Sequence, residues 1–113
     1  MDFDIRSQHE GDTCAVKLAG ELDVYSAPRL KDAMASAIDS GCVNVVIDLC
    51  DVTFIDSSGL GVIVGGLQKV RLLDGSMRIV CDNDSVLKIF KLTGLDKVFA
   101  IYSDMSRARD FQV

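Results

Sequence analysis

The sequence predicts an α/β fold, a mixed sheet of about four to five strands packed with about four helices. Three observations lead there. Segments of alternating apolar and polar residues take turns with segments whose apolar residues recur at helical spacing, in the order ββαβαβαβα. The run from Val43 to Leu49, centred on Val45-Val46-Ile47, is apolar almost throughout, the mark of a strand buried on both faces in a helix-covered parallel sheet. The first two strands are joined through Gly11-Asp12, a link short enough to demand an antiparallel pair, so the sheet is mixed.

The elements follow in order. Phe3 and Ile5 alternate with charged or polar neighbours, as in a half-exposed edge strand. Cys14, Val16 and Leu18 alternate with Thr13, Ala15 and Lys17 in a second strand. Ser26 is placed as a helix N-cap, with Pro28 in the first turn, where a missing N–H does no harm. Leu30, Ala33, Met34, Ala37 and Ile38 then share one helix face, and Gly41 supplies the stop. After the central strand comes a short loop, in which Val52, Phe54 and Ile55 are apolar enough to act as anchors. Leu60, Ile63, Val64, Leu67 and Val70 mark the second helix, and Met77, Ile79 and Cys81 a further strand. Asn83 caps a third helix that contains Val86, Leu87, Ile89 and Phe90 and ends at Gly94. Val98 to Ile101 forms a short last strand, and Asp104 caps a weak terminal helix.

Composition narrows the function classes. At 113 residues, 49% of them apolar, the chain is long enough for one domain, spanning 1–113, with a real core. A formal charge of −5 argues against nucleic acid and against an electrostatically held anionic membrane. Met1-Asp2-Phe3-Asp4 carries neither a basic region nor an apolar run, so no secretory signal is expected, and no apolar stretch approaches a membrane span. The expectation is a cytoplasmic protein. Cysteines stand at 14, 42, 50 and 81 without a CxxC pair, and His9 is the only imidazole. They read as reduced core residues rather than as a disulfide framework or a zinc site.

The chemistry concentrates in Phe54-Ile55-Asp56-Ser57-Ser58-Gly59-Leu60-Gly61, between the central strand and the second helix. Functional groups gather at the carboxyl ends of strands in such sheets. Ser57 immediately precedes the helical pattern and is an N-cap candidate, with first-turn amides and a positive dipole end beside it. A phosphoserine there adds about −1.5 to −2 charges and three acceptor oxygens, which a helix N-terminus can satisfy. Gly59 and Gly61 would leave the approach open to a partner's active site, and Asp56 would repel the new phosphate. From spacing alone, plain capping is the favoured reading of the same residue types. A dinucleotide fingerprint fails, because the third glycine it needs is Val64.

Ile55-Asp56-Ser57-Ser58-Gly59-Leu60-Gly61 resembles the phosphorylation motif of bacterial anti-sigma-factor antagonists, single STAS domains. Gly20-Glu21-Leu22-Asp23 with Ser26-Ala27 and Leu30, Val46-Ile47-Asp48-Leu49, and Leu92-Thr93-Gly94-Leu95-Asp96-Lys97-Val98-Phe99 are similar to further segments of that family, so the likeness runs nearly end to end. The resemblance implies an unphosphorylated form that binds an anti-sigma factor, itself a serine kinase, and thereby frees a sigma factor. It implies phosphorylation on Ser57, with Ser58 a minor alternative, and reversal by a PP2C-type phosphatase. ATP and Mg²⁺ belong to the kinase, so no cofactor, metal or catalytic residue is expected in this chain. The implied partner surface comprises Glu21, Asp23, Tyr25, Ser26, Asp56, Ser57, Ser58, Gly59 and Gly61, with Asp23 near the phosphorylated serine. The polar exposed helix positions suit a monomer.

Three rivals remain. A scaffold subunit of a stress-signalling assembly, or an accessory subunit of a lipid-transport system, would keep the fold and lack the switch. A serine hydrolase would need a base for Ser57, for which only His9 is available, and G-x-S-x-G is absent. A receiver domain phosphorylated on Asp48 would want an acidic pair after the first strand, where Arg6-Ser7-Gln8-His9 stands instead.

Overall fold

Gly11, at φ 61°, reverses the chain between two strands, β1 (Phe3–Glu10) and β2 (Thr13–Leu22), which pair antiparallel from Phe3↔Gly20 to Glu10↔Thr13. The computed structural model describes residues 2–109. The chain continues through α1 (Ala27–Asp39), β3 (Asn44–Ile55), α2 (Ser57–Leu72), β4 (Ser76–Val80), α3 (Asp84–Leu92), a 3₁₀ turn (Leu95–Lys97), β5 (Ala100–Tyr102) and α4 (Met105–Arg109). The sheet order is β1-β2-β3-β4-β5, and every pair after the first is parallel. This is the predicted α/β architecture, with five strands and four helices among the described residues.

Successive crossovers advance in one direction along the sheet, and residues of α1, α2 and α3 share one core cluster on one of its faces. Their apolar residues meet the sheet in a single cluster that includes Leu18, Leu30, Ile47, Ile63, Ile79 and Phe90, all fully buried. Each such side chain contributes about 1.5–3 kcal/mol relative to exposure. α4 lies on the opposite face, where Ala108 packs on Val46 and Val80 beside Cys50, Tyr102 and Met105. The two clusters explain the unbroken run in β3: Val45, Ile47 and Leu49 face the three helices, while Val46 faces α4.

Helix ends follow the expected chemistry in part. Asn83 accepts from the Ser85 amide at 3.0 Å and caps α3, and Asp104 accepts from the Arg107 amide at 2.9 Å in α4. Ser26 occupies the N-cap position of α1, but its side chain makes no cap bond and is committed elsewhere. Pro28 lies in the first turn, and Gly41, at φ 104°, follows the C-cap Ser40.

Several expectations are corrected. β3 does not end at Leu49. Its pairing with β2 persists through two register shifts to Glu21↔Phe54 and Leu22↔Ile55, so the supposed loop is strand. Val52 and Ile55 are buried, but Phe54 is 49% exposed and anchors nothing. The last strand starts at Ala100 rather than Val98, because the Val98 and Phe99 amides both donate to the Leu95 carbonyl in the 3₁₀ turn. Phe99 is buried by packing edge-on against Phe90, with ring centroids 6.0 Å apart. Cys14 and Cys42 are buried as expected, yet they are joined in a disulfide. The parallel β2–β3 ladder sets Cys14 opposite Val45, which brings the amino end of β2 against the α1–β3 turn that carries Cys42. No spacing rule reveals such a pair, separated by 28 residues. Cys50 and Cys81 are free thiols.

Candidate functional site at the carboxyl ends of β2 and β3

β2 and β3 are parallel neighbours, so the segments that leave their carboxyl ends emerge side by side. One is the turn Asp23–Ser26 leading into α1; the other is Asp56 leading into α2. The turn is tied down from within. The Ser26 hydroxyl donates to the Glu21 carbonyl at 2.7 Å and accepts from the Asp23 amide at 2.8 Å. Asp23 Oδ1 accepts from the Tyr25 amide at 2.9 Å and the Ser26 amide at 3.1 Å, and lies 3.2 Å from the Ser26 hydroxyl oxygen. Burial alone would raise the Asp23 pKa, but the hydrogen bonds from Ser26 and Tyr25 outweigh it and hold the carboxyl below its ordinary value.

Asp56 joins the two segments. Its amide donates to the Leu22 carbonyl at 3.1 Å. Its Oδ1 accepts from the Gly59 amide at 3.0 Å, and its Oδ2 from the Val24 amide at 3.1 Å. Asp56, not Ser57, is therefore the N-cap of α2, and Ser57 is the first helical residue. The reason is local. An aspartate in extended conformation, φ −111° and ψ −176°, reaches the third amide of the helix directly, and the serine is then drawn into the first turn.

Ser57 is exposed and Ser58 half-buried, and neither hydroxyl is engaged in a hydrogen bond among the described residues. As the first two helical residues, both have amides without an intrahelical acceptor. Both line a groove of about 330 Å³ between α1 and α2, together with Met34, Gly61, Lys31 and Lys69. Glu21, Asp23, Tyr25 and Ser26 line a separate concavity with Phe3 and Arg29. Asp23 thus does not share the groove with Ser57, and its carboxylate serves its own turn. Gly61 faces open space, whereas a Cβ on Gly59 would stand 2.6 Å from Leu22 Cγ. Gly59 is there for close packing of α2 on β2, not to clear an approach.

Sequence reasoning included Val24 only as part of the Glu21-to-Ser26 segment and read Phe54 as an anchor, whereas both are exposed, at 56% and 49%, beside Tyr25 at 82%. The Glu21↔Phe54 register sets this apolar group beside the acidic turn. Sequence reasoning missed Lys31 and Lys69, the cations that share the Ser57 groove. Among the described residues, His9 is on β1 opposite Cys14, at the amino end of β2, whereas Ser57 follows the carboxyl end of β3. No serine–histidine pair is formed. Asp48 is buried, with Oδ1 accepting from the Cys50 amide at 3.0 Å. Burial, then the hydrogen bond and charge of Asp48, push the Cys50 thiol up to about 12, which keeps it an unreactive packing residue.

The sequence pattern of the STAS domain matches residues 4–108. The chain belongs to the STAS domain family. As a STAS domain it is 37% identical over 101 residues to the anti-sigma-B factor antagonist of Bacillus subtilis, an alignment covering 89% of this chain and 90% of that one. The crystal structure of an anti-sigma factor antagonist from Mycobacterium paratuberculosis superposes with a TM-score of 0.87 at 26% identity, covering 96% of this chain and 92% of that one. The Bacillus cell fate determinant SpoIIAA in its phosphorylated form shares the fold at a TM-score of 0.74 and 20% identity, over 96% and 97% of the two chains. No helix among the described residues is long and apolar enough to cross a membrane.

Proposed function

We propose that this STAS domain is an anti-sigma-factor antagonist switched by phosphorylation of Ser57. In the unphosphorylated state it binds an anti-sigma factor that is also a serine kinase, and a sigma factor is released. Phosphorylation weakens the complex, and a PP2C-type phosphatase restores it. The chain acts in the cytoplasm as a single regulatory domain, without an enzymatic activity, cofactor or metal requirement in this switch.

The observation that supports this most is the placement of Ser57. It is an exposed first-turn serine with an unengaged hydroxyl, next to the residue that ties α2 to the Asp23–Ser26 turn. A phosphate added there deposits about −1.5 to −2 charges at the seam between the two segments. The first-turn amides and the lysines of the groove give it local compensation, so the fold tolerates the group while the surface offered to a partner gains negative charge. The relatives named antagonists support the same assignment.

Phosphopeptide mapping of the chain recovered from its native cell under several growth conditions tests this reading. Phosphate on Ser57 in a condition-dependent fraction is the expected result. Phosphate absent in every condition would sink the switch and favour a scaffold or transport-accessory STAS subunit.

A further inference from the structure

At the end of the sheet remote from Ser57, three groups with metal-binding chemistry converge. His9 and Cys14 are direct cross-strand partners in β1 and β2, and Cys42 reaches them from the α1–β3 turn. One imidazole nitrogen and the two sulfurs all lie within 4.8 Å of one another. The sulfurs are buried, Cys14 at 1% and Cys42 at 0% exposure, while His9 is exposed and its ring makes no hydrogen bond or ion pair among the described residues. A concavity of about 280 Å³ lined by Ser7, His9, Cys14, Ser36 and Ser40 opens over the cluster.

We propose that Cys14, Cys42 and His9 form a redox-gated site for a soft divalent cation, Zn²⁺ above all. In the disulfide form the sulfurs have no thiolate charge to offer, and the site cannot bind. Reduction by a dithiol breaks the Cys14–Cys42 bond: two electrons and two protons pass to the two sulfurs, and the reductant leaves as its own disulfide. Zn²⁺ then displaces the two thiol protons to solvent and is held by two thiolates and the neutral imidazole nitrogen. Tetrahedral zinc with sulfur bonds of about 2.3 Å needs its sulfurs roughly 3.7 Å apart, a spacing that reduced cysteines with Cα atoms 6.0 Å apart reach by side-chain rotation. The fourth position faces the concavity and takes a water. Thiolate and imidazole ligands favour zinc over calcium or magnesium. The disulfide ties β2 to the α1–β3 turn, and the metal ties β1 to them as well through His9.

The test titrates the full chain with Zn²⁺ against a chromophoric chelator, in the oxidised form and after phosphine reduction. One equivalent is expected to bind the reduced chain and none the oxidised chain. Co²⁺ is expected to give a sulfur-to-cobalt charge-transfer band in the reduced chain alone. His9→Ala, at an exposed position with Cys50 and Cys81 untouched, is expected to weaken zinc by at least about tenfold, the cost of losing even an outer-shell partner. Equal affinity in both redox states, unchanged affinity in His9→Ala, or full binding by Cys14→Ser would each overturn the site.

Discussion

The Asp56 carboxylate accepts a hydrogen bond at 3.1 Å from the amide of Val24, 32 residues earlier in the chain, and by that bond the start of α2 is fastened to the turn before α1. The same carboxylate caps Gly59, so one side chain orders both halves of the candidate partner surface.

Replacing it separates the two roles. Asp56→Ala removes cap and tie together, and a stability loss of about 0.5–2 kcal/mol is expected in urea denaturation. Asp56→Asn keeps one acceptor oxygen, enough for the Gly59 cap but not for the Val24 tie as well, and is expected to lose less than the alanine variant. Hydrogen exchange at the Val24 amide is expected to accelerate in both variants, because the asparagine that caps Gly59 turns an NH2 donor toward the Val24 N–H. Exchange at Val24 as slow as in the parent in both variants would remove the tie from the account.

At Ser57 the expected effects are on binding and not on folding, because the side chain is exposed and unbonded. Ser57→Ala is expected to hold an anti-sigma-factor kinase persistently, with stability within about 0.5 kcal/mol of the parent. Ser57→Asp is expected to bind more weakly, though less so than the phosphorylated chain, since one carboxylate carries less charge and fewer oxygens than a phosphate. Two variants that both bind like the parent would clear Ser57 of the role, and Ser58→Ala would then be the next measurement.

Acid should expose the work of Asp23. Its pKa is depressed in the folded chain, so below the unfolded value of about 3.9 the unfolded state binds more protons than the folded one. Its contribution is therefore complete above that value and lost as the pH falls through the folded pKa. Stability measured from about pH 5 downward should fall more steeply in the parent than in Asp23→Asn, which does not titrate. Parallel curves would show that the turn does not favour the ionised form.

The two glycines of the motif should answer oppositely to alanine. Gly59→Ala drives a methyl group into Leu22 and is expected to cost about 1–3 kcal/mol. Gly61→Ala meets open space in an exposed helix position and is expected to gain about 0.5–1 kcal/mol. Equal losses at both positions would mean that Gly59 is not a packing residue.

Most of the fold was legible because its signals are local. The alternation in β2, the apolar run of β3 and the Asn83 cap each lie within a few residues. What escaped depends on register and on neighbours far away in sequence. The extension of β3 through Asp51 and Thr53 is invisible in a hydropathy pattern, since polar residues there face solvent along a strand whose second neighbour has ended at the Asp48↔Val80 pair. Phe54 read as an anchor because apolar residues beside a core run usually are. Its exposure follows from the register shift after Gly20. At the site, the serine motif was readable, but the choice of Asp56 over Ser57 as cap turned on backbone angles. The Cys14–Cys42 pair required knowing which strands lie side by side.

The parallel pairing of β2 with β3 has a consequence for how such a surface can diversify. Glu21–Ser26 and Phe54–Gly61 are two short peptides delivered to one place by a ladder that runs back to Thr13 and Asn44 at the other end. The crossover between them, α1 and its exit turn, can change length at its far end without displacing either peptide. The pair behaves as an exchangeable cassette on a fixed frame. Changes at the exposed positions of the two peptides, such as Val24, Tyr25, Phe54 and Ser57, would alter what the surface offers and leave the buried ladder alone.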